Sequence, residues 1–407
     1  MNICPICRSE IQDIIHTLDC GNMDSSRLYP TIRLVSCLRC GHVFNALSPE
    51  ELKGLECYYD EELSPINLNA IYTKGDRPGS SDSLAVVRYG QLLTNLMPYI
   101  RVHDEILDVG CAMGGLLDYL YAKGFNRLCA CDMSQAYVEY VRMNGRHRIK
   151  LGNAEALPFE DHVFDVIIME QVLEHLPDPV KAFAEAKRVL RPGGVFYIEV
   201  PDASRYSDFY YFDYYYLLIR EHIQHFDVDH LELLAEQQGF DMLSYRQTSN
   251  AVISEQMIMP SLSAIFRSTN SPHDDKIRKN IDYFGLRQKM TDYIRSENAK
   301  QLMRSGRIAE LAKSCRPVYV WGIGKEFLYL YEAAGLKHCN IEGLIDMNPL
   351  KQKTAFINGT KVRDDSLLRE SSVDSVLLIT VIAHTDSIIQ NVKSYGFKGE
   401  IITMNHQ

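Results

Sequence analysis

Ile106-Leu107-Asp108-Val109-Gly110-Cys111-Ala112-Met113-Gly114-Gly115 passes from an apolar run straight into a string of small residues. The pattern predicts a strand that enters a glycine-rich turn, then a helix with Leu116, Leu117 and Leu120 on one face. Small residues at 110, 112, 114 and 115 let the backbone approach a ligand, because a Cβ there would collide with it. The helix N-terminus then presents free N–H groups to whatever occupies the turn. Any nucleotide-binding α/β domain can begin this way, so a second signal is needed. It comes at Leu128-Cys129-Ala130-Cys131, a second strand that ends in Asp132, 18 residues after Gly114. One carboxylate at that tip can accept from both hydroxyls of a ribose.

The rest of the composition narrows the class. At 407 residues the chain is long enough for two or three domains. A hydrophobic content of 46% and a charged content of 24% are ordinary for a globular protein. The formal net charge of −10, without a basic block, argues against a nucleic-acid partner held through phosphates. No run of about 18 apolar residues predicts a membrane span. The opening Met-Asn-Ile-Cys-Pro has neither a basic nor an apolar leader segment, so a cytoplasmic location is expected. In that setting eleven cysteines read as thiols and metal ligands rather than disulfides.

Cys4-Pro-Ile-Cys7 is answered by Cys37-Leu-Arg-Cys40. Two such knuckles supply the four thiolates that tetrahedral zinc needs, and Gly41 allows a tight turn after the second. Cys20 lies between the pairs as the rival ligand, and four unrelated buried thiols are the blander alternative. A closed site of four cysteines has no open position for substrate, so its role is structural. Residues 45 to 80, with turn chemistry from Lys74 to Asp82, read as a linker or as a flap near a ligand.

Further on, strands alternate with helices, which implies a mostly parallel sheet. Glu174-His175 reads as polar residues at a helix end, with an acid–base pair as the alternative. Six tyrosines between 206 and 216 suit a helix that walls a substrate, contacts a subunit, or simply packs. His222 and His225, three residues apart, fall on one helical face. From 275 to 313 the period of Ile277, Ile281, Leu286, Met290 and Ile294 predicts connecting helices, or a dimer contact. Val318-Tyr-Val-Trp-Gly322-Ile-Gly324-Lys325 opens a second strand–turn–helix unit, and Asp346 ends its next strand. Phe327 stands where a dinucleotide fingerprint has its third glycine, so this unit is expected to enclose substrate rather than bind its own nucleotide.

Asp108 to Gly115 resembles the first motif of the class I S-adenosylmethionine (SAM) methyltransferases. Asp132 matches that family's ribose acid, and Gly152-Asn153-Ala154-Glu155-Ala-Leu-Pro-Phe159 resembles its adenine-side segment. Phe164 to Glu170 resembles its fourth strand and Leu190-Arg-Pro-Gly-Gly194 its turn before strand five. These motifs occur in order over roughly residues 80 to 255; Ala112 replaces the commoner middle glycine. The resemblance implies a SAM site at Asp108, Gly110, Ala112, Gly114, Asp132, Met133, Asn153, Ala154 and Glu170.

With its flanking units the chain is similar to the three-domain nucleotide-sugar C-methyltransferases. That similarity implies an α/β protein with a Rossmann-like SAM core, a small N-terminal zinc-binding domain and a C-terminal Rossmann-like domain. The expected division is a zinc-binding domain at 1–75, the SAM-dependent core at 76–260, a helical connector at 261–315 and the C-terminal domain at 316–407. It also implies structural Zn2+ at Cys4, Cys7, Cys37 and Cys40, a nucleotide-sugar substrate, and a monomer or homodimer. The family's catalytic Tyr-His-Glu-His corresponds to Ile219, Arg220, Glu221 and His222, so only the Glu and the second His are retained. Proton removal from a carbon beside a ketone needs a base near neutral pKa, which histidine supplies. His222 is the expected base, Glu221 its neighbour and His225 its rival. O- or N-methylation of a small molecule, or a non-catalytic SAM-binding scaffold, are the alternatives.

Overall fold

The computed structural model describes residues 3–10, 12–21, 26–68, 77–144, 147–252, 254–269, 284–381 and 384–404. Three sheets organise them. The central sheet has seven strands, in sequence order Ile106–Val109, Leu128–Asp132, Arg148–Leu151, Phe164–Glu170, Leu190–Pro201, Phe240–Val252 and Ser254–Ser268. Numbered along the chain, their order across the sheet is 6-7-5-4-1-2-3. The first five are parallel, and the seventh runs antiparallel to both neighbours.

Ile106 packs beneath the helices Ser83–Leu96, Gly115–Ala122 and Gln135–Asn144. Its neighbours Leu107 and Val109 pack on the opposite face, with Pro179–Val189 and Val228–Gln237. A strand covered on both faces must be apolar at successive positions, which is why the opening stretch reads as an unbroken run. The order reverses between strands 1 and 4, which opens a crevice at their carboxyl ends, beside Gly110 and Glu170.

The second sheet is antiparallel: Gln12–Asp19, Thr31–Cys37, Val43–Asn45 and, from far along the chain, Gln224–His225. Val43 pairs with His225 and Phe44 with Gln224. The segment bearing the expected catalytic residues is therefore the edge of the N-terminal sheet. Arg220 ties the same segment to the N-terminal unit. Its buried guanidinium donates to the carbonyls of Leu28 and Tyr29 at 3.1 and 2.8 Å and to Ser26 Oγ at 3.2 Å. Tyr29 Oη in turn donates to the Arg220 carbonyl at 2.5 Å.

The third sheet, Phe356–Ile357, Thr360–Arg363, Ile341–Ile345, Val318–Trp321, Val376–Ile379 and Glu400–Thr403, is parallel apart from its terminal hairpin.

Four expectations need correction. Residues 261–268 continue the strand Ser254–Ser268, so the central sheet extends past the expected boundary at 260. Among the described residues the connector has one helix, the 30-residue Gly285–Ser314, with Leu286, Met290 and Ile294 buried; Ile277 and Ile281 lie outside the described residues. The tyrosine-rich segment is a 3-10 turn at Ala203–Asp208 and a short helix at Tyr215–Leu218, separated by the left-handed Tyr214 at φ 58°. Tyr206, Tyr211, Tyr214 and Tyr216 pack in one core with Met290 and Tyr293 of the long helix, which is the packing alternative. Finally, His222 and His225 share no helix: His222 closes a turn onto the Ile219 carbonyl, and His225 lies in the edge strand.

Candidate active site

A cavity of about 480 Å³ fills the crevice of the central sheet. That is within the range of small-molecule sites. At one end it is lined by Asp108, Gly110, Ala112, Asp132, Met133, Asn153, Ala154 and Glu170, and at the other by His175, Glu221, His222, Asn250 and Ser261. The helical stretch Pro49–Leu68 contributes Leu52, Tyr59 and Ser64, and the loop before the helix Ser83–Leu96 contributes Arg77, Pro78 and Gly79. The described part of the 45–80 segment thus walls the cavity, as the flap reading expects; Lys74 to Asp76 lie outside the described residues.

The turn after the first strand is left-handed at Gly110, Ala112 and Gly114, with φ of 77°, 45° and 80°. A Cβ at Gly110 would lie 2.5 Å from Val172 Cγ2, so glycine is required there. Ala112 holds a conformation that glycine adopts more cheaply, and its N–H donates to Asp132 Oδ2 at 2.8 Å. Ser134 N–H binds Asp132 Oδ1 at 2.9 Å. Two backbone donors thus fix the carboxylate at the cavity wall, and burial raises its pKa. Gly114 is the exception among the expected ligands, because it caps the following helix and faces a neighbouring cavity. Asp108 is buried beside Glu170 and Asp132, and burial followed by those two charges pushes its pKa well up. Arg88 lies 3.4 Å from Glu170. Three acids converging on one wall suit a ligand that carries positive charge, and SAM has both a sulfonium and an ammonium.

At the far end Glu221 Oε1 accepts from Tyr58 Oη at 2.8 Å and lies 3.5 Å from Lys325 Nζ. Burial alone would raise its pKa, but Lys325 and the hydrogen bonds outweigh burial and lower it. Lys325 follows the Gly322-Ile-Gly324 turn, so the C-terminal unit contacts Glu221, although none of that unit's residues is among those lining the cavity. In that unit Asp346 accepts from Ile323 N and Asn348 N, each at 2.9 Å, and from Lys351 Nζ at 2.8 Å. The His222 ring sits 4.7 Å from that of His175. Burial, then His175, His225 and Lys325, hold His222 well below the ordinary imidazole range. His225 is fully buried and is not among the cavity's lining residues; burial pulls its pKa down to about 3.

Several groups in the cavity lining and behind it escaped the sequence reading. Glu174 is not a helix-end polar residue: it is buried behind the two histidines, 3.7 Å from His175 Nε2 and 4.0 Å from His222 Nε2. His175 Nδ1 contacts Tyr59 Oη at 2.6 Å and the Glu221 carbonyl at 3.0 Å. Asn250 and Ser261 present the cavity with groups held by Glu199, at 2.7 and 2.6 Å. The only sequence cues were Glu174-His175 itself and the lysine after the glycine turn.

The four knuckle cysteines converge, with all four Sγ within 4.8 Å of one another. Cys4–Cys40 and Cys7–Cys37 are 3.7 and 3.5 Å apart. A tetrahedron with Zn–S bonds of about 2.3 Å has edges of about 3.8 Å, so the set fits such an ion. Cys20 packs elsewhere, its thiol 4.0 Å from the Leu18 carbonyl, and is no rival.

Sheet order, glycine turn, the acid at the tip of the second strand and the acid-lined crevice are together those of a class I SAM-dependent methyltransferase domain. Residues 84–245 match the family described as a methyltransferase domain. A probable S-adenosylmethionine-dependent methyltransferase of Mycolicibacterium smegmatis is 32% identical over 142 residues, covering 34% of this chain and 55% of that protein. A malonyl-[acyl-carrier protein] O-methyltransferase of Hahella chejuensis is 37% identical over 96 residues, covering 22% of this chain and 34% of its own. The matches therefore span about half or less of these relatives. A solved SAM-dependent methyltransferase from Methanosarcina mazei superposes with a TM-score of 0.37 at 21% identity, covering 44% of this chain and 98% of that one. Among the described residues no helix is long and apolar enough to cross a membrane.

Proposed function

We propose that this chain methylates a carbon next to a ketone on a nucleotide-linked deoxysugar. The observation that carries the reading is the sharing of one cavity by the Asp132–glycine-turn end and the His175–Glu221–His222 end. Asp108, Gly110, Ala112, Asp132, Met133, Asn153, Ala154 and Glu170 would hold SAM, which when bound supplies a methyl group on a sulfonium, open to in-line attack. The chain's own task is to hold the acceptor in line with that methyl and to exclude water. His222 Nε2 takes the proton from the acceptor carbon, and Glu221, fixed by Tyr58 and Lys325, orients the acceptor beside it. The four cysteines bind one structural Zn2+, which braces the sheet on which the segment 219–225 ends.

A panel of nucleotide sugars incubated with methyl-labelled SAM, followed by NMR of the products, tests the proposal. A methyl bonded to carbon on a keto-deoxysugar is expected. A methyl on oxygen or nitrogen would replace it with the alternative chemistry, and an absence of turnover with every acceptor would leave a SAM-binding scaffold.

A further inference from the structure

Glu174 lies behind the cavity wall, next to the lining residue His175. It is 1% exposed, and neither carboxyl oxygen has a hydrogen-bond partner among the described residues. A buried carboxyl in that state is costly unless it is neutral or faces a cation. What it faces is a pair of imidazoles, with its Oε1 3.7 Å from His175 Nε2 and 4.0 Å from His222 Nε2.

The tautomer of His175 follows from its other side. The Glu221 carbonyl, 3.0 Å from Nδ1, can only accept, and Tyr59 Oη, 2.6 Å from Nδ1, can accept as well as donate, so the tautomer with its hydrogen on Nδ1 satisfies both partners and turns a bare Nε2 to Glu174. A protonated Glu174 therefore has an acceptor to face. An ionised Glu174 has the opposite effect, because it makes a proton on either imidazole more favourable. At 4.0 Å its contact with His222 is longer than a hydrogen bond, so the His222 lone pair stays available to a substrate proton.

We propose that Glu174 is the positioning residue that switches His222 on: ionised, it makes His222 a competent base, and protonated it leaves His222 too weak to act. The inference rests on the reading of His222 as the base. In the step itself the acceptor's C–H bond breaks, its electron pair moves toward the ketone oxygen, and the proton goes to His222 Nε2. The imidazolium so formed lies against the Glu174 carboxylate. The groups around Glu174 set where it ionises. Burial raises its pKa to about 8, with Glu170 and Glu199 of the two adjoining strands adding to the rise. Tyr59 and Tyr206 face it as neutral phenols, their own pKa values pushed well up by burial. Lys325 acts on the other side, on His222.

Histidine-labelled, full-length protein tests this without an acceptor. The His222 and His175 resonances, assigned with His222→Gln and His175→Gln, should show an inflection near pH 8 that disappears in Glu174→Gln. Calorimetry of SAM binding should be unchanged in Glu174→Gln, which controls for folding. With the acceptor from the sugar screen, wild-type turnover should rise about tenfold from pH 7 to pH 9, as the ionised fraction of a group at about 8 rises from about a tenth to about nine-tenths. Glu174→Gln should be slow and flat over that range, and Glu174→Asp should restore part of the slope. An inflection that persists in Glu174→Gln, or none in the wild type, overturns the inference. So does a saturable response of these resonances to added Zn2+ or Mg2+ that Glu174→Gln abolishes, which would make the cluster a metal site. Failure of the sugar screen would instead remove the methylation reading and leave the imidazole titration standing.

Discussion

Asn45, in the small antiparallel sheet, donates its side-chain amide to the backbone carbonyl of His222, 2.9 Å away across 177 positions of sequence. Its own backbone N–H holds the next carbonyl, that of Ile223, at 2.8 Å. Two consecutive peptide units beside the proposed base are thus fixed by a residue only five positions beyond Cys40. Asn45→Ala removes the side-chain donor and strands a buried carbonyl, at a cost of about 1–3 kcal/mol. Turnover should fall by about tenfold or more while SAM affinity is kept. Equal losses in both would show that Asn45 supports the whole fold rather than His222.

Asp132→Ala should weaken SAM binding by about 1.5–3 kcal/mol, since it removes a buried, charge-assisted acceptor. The two N–H groups that Asp132 now satisfies, those of Ala112 and Ser134, would also lose their partner. Calorimetry reads the change directly, and an unaltered affinity would remove Asp132 from the cofactor site.

Protein purified without added zinc should contain about one equivalent of the metal, and Cys4→Ser combined with Cys37→Ser should lose it. Because Cys40 leads within five residues to Asn45, loss of the metal should disturb the His222 resonances as well as thermal stability. Full metal retention in the double variant would count against the four-cysteine site.

Arg304 ties the long helix to two other parts of the chain. Its Nε lies 3.3 Å from Asp213 in the tyrosine-rich segment, and its Nη1 lies 3.1 Å from Glu326 at the start of the C-terminal unit's first helix. Arg304 is 3% exposed, so Arg304→Ala leaves two buried carboxylates without their cation and should cost about 3–5 kcal/mol. Denaturant unfolding measures it. Arg304→Met with Glu326→Gln should recover part of the loss; a single variant as stable as the wild type would mean that water already reaches the cluster.

What the sequence made legible is what local pattern determines. The run from Ile106 to Gly115 and the acid at 132 fix a strand, a turn and a carboxylate at the strand tip through nearest-neighbour sterics, and the structure has them there, the carboxylate lining the cavity. The two knuckles are as local, and their sulfurs converge. The reaction end is different because its contacts are long-range. Glu221 is held by Tyr58 and Lys325, more than a hundred residues away on either side, and no periodicity encodes that. Helical spacing of His222 and His225 misled because the backbone there pairs with Val43 and Phe44 instead of coiling. The tyrosines misled for a related reason: Tyr214 adopts a left-handed conformation that ends any helix through them.

Deuterium exchange at the acceptor carbon tests the account's central claim, that His222 removes a proton there. The wild-type chain, with a nucleotide-linked keto-deoxysugar in deuterium oxide, should wash deuterium into the position next to the ketone. His222→Ala should lose that exchange by about 10²–10⁴-fold with SAM affinity intact, while His225→Ala, altered outside the cavity lining, should retain it. Exchange at the wild-type rate in His222→Ala would contradict the account.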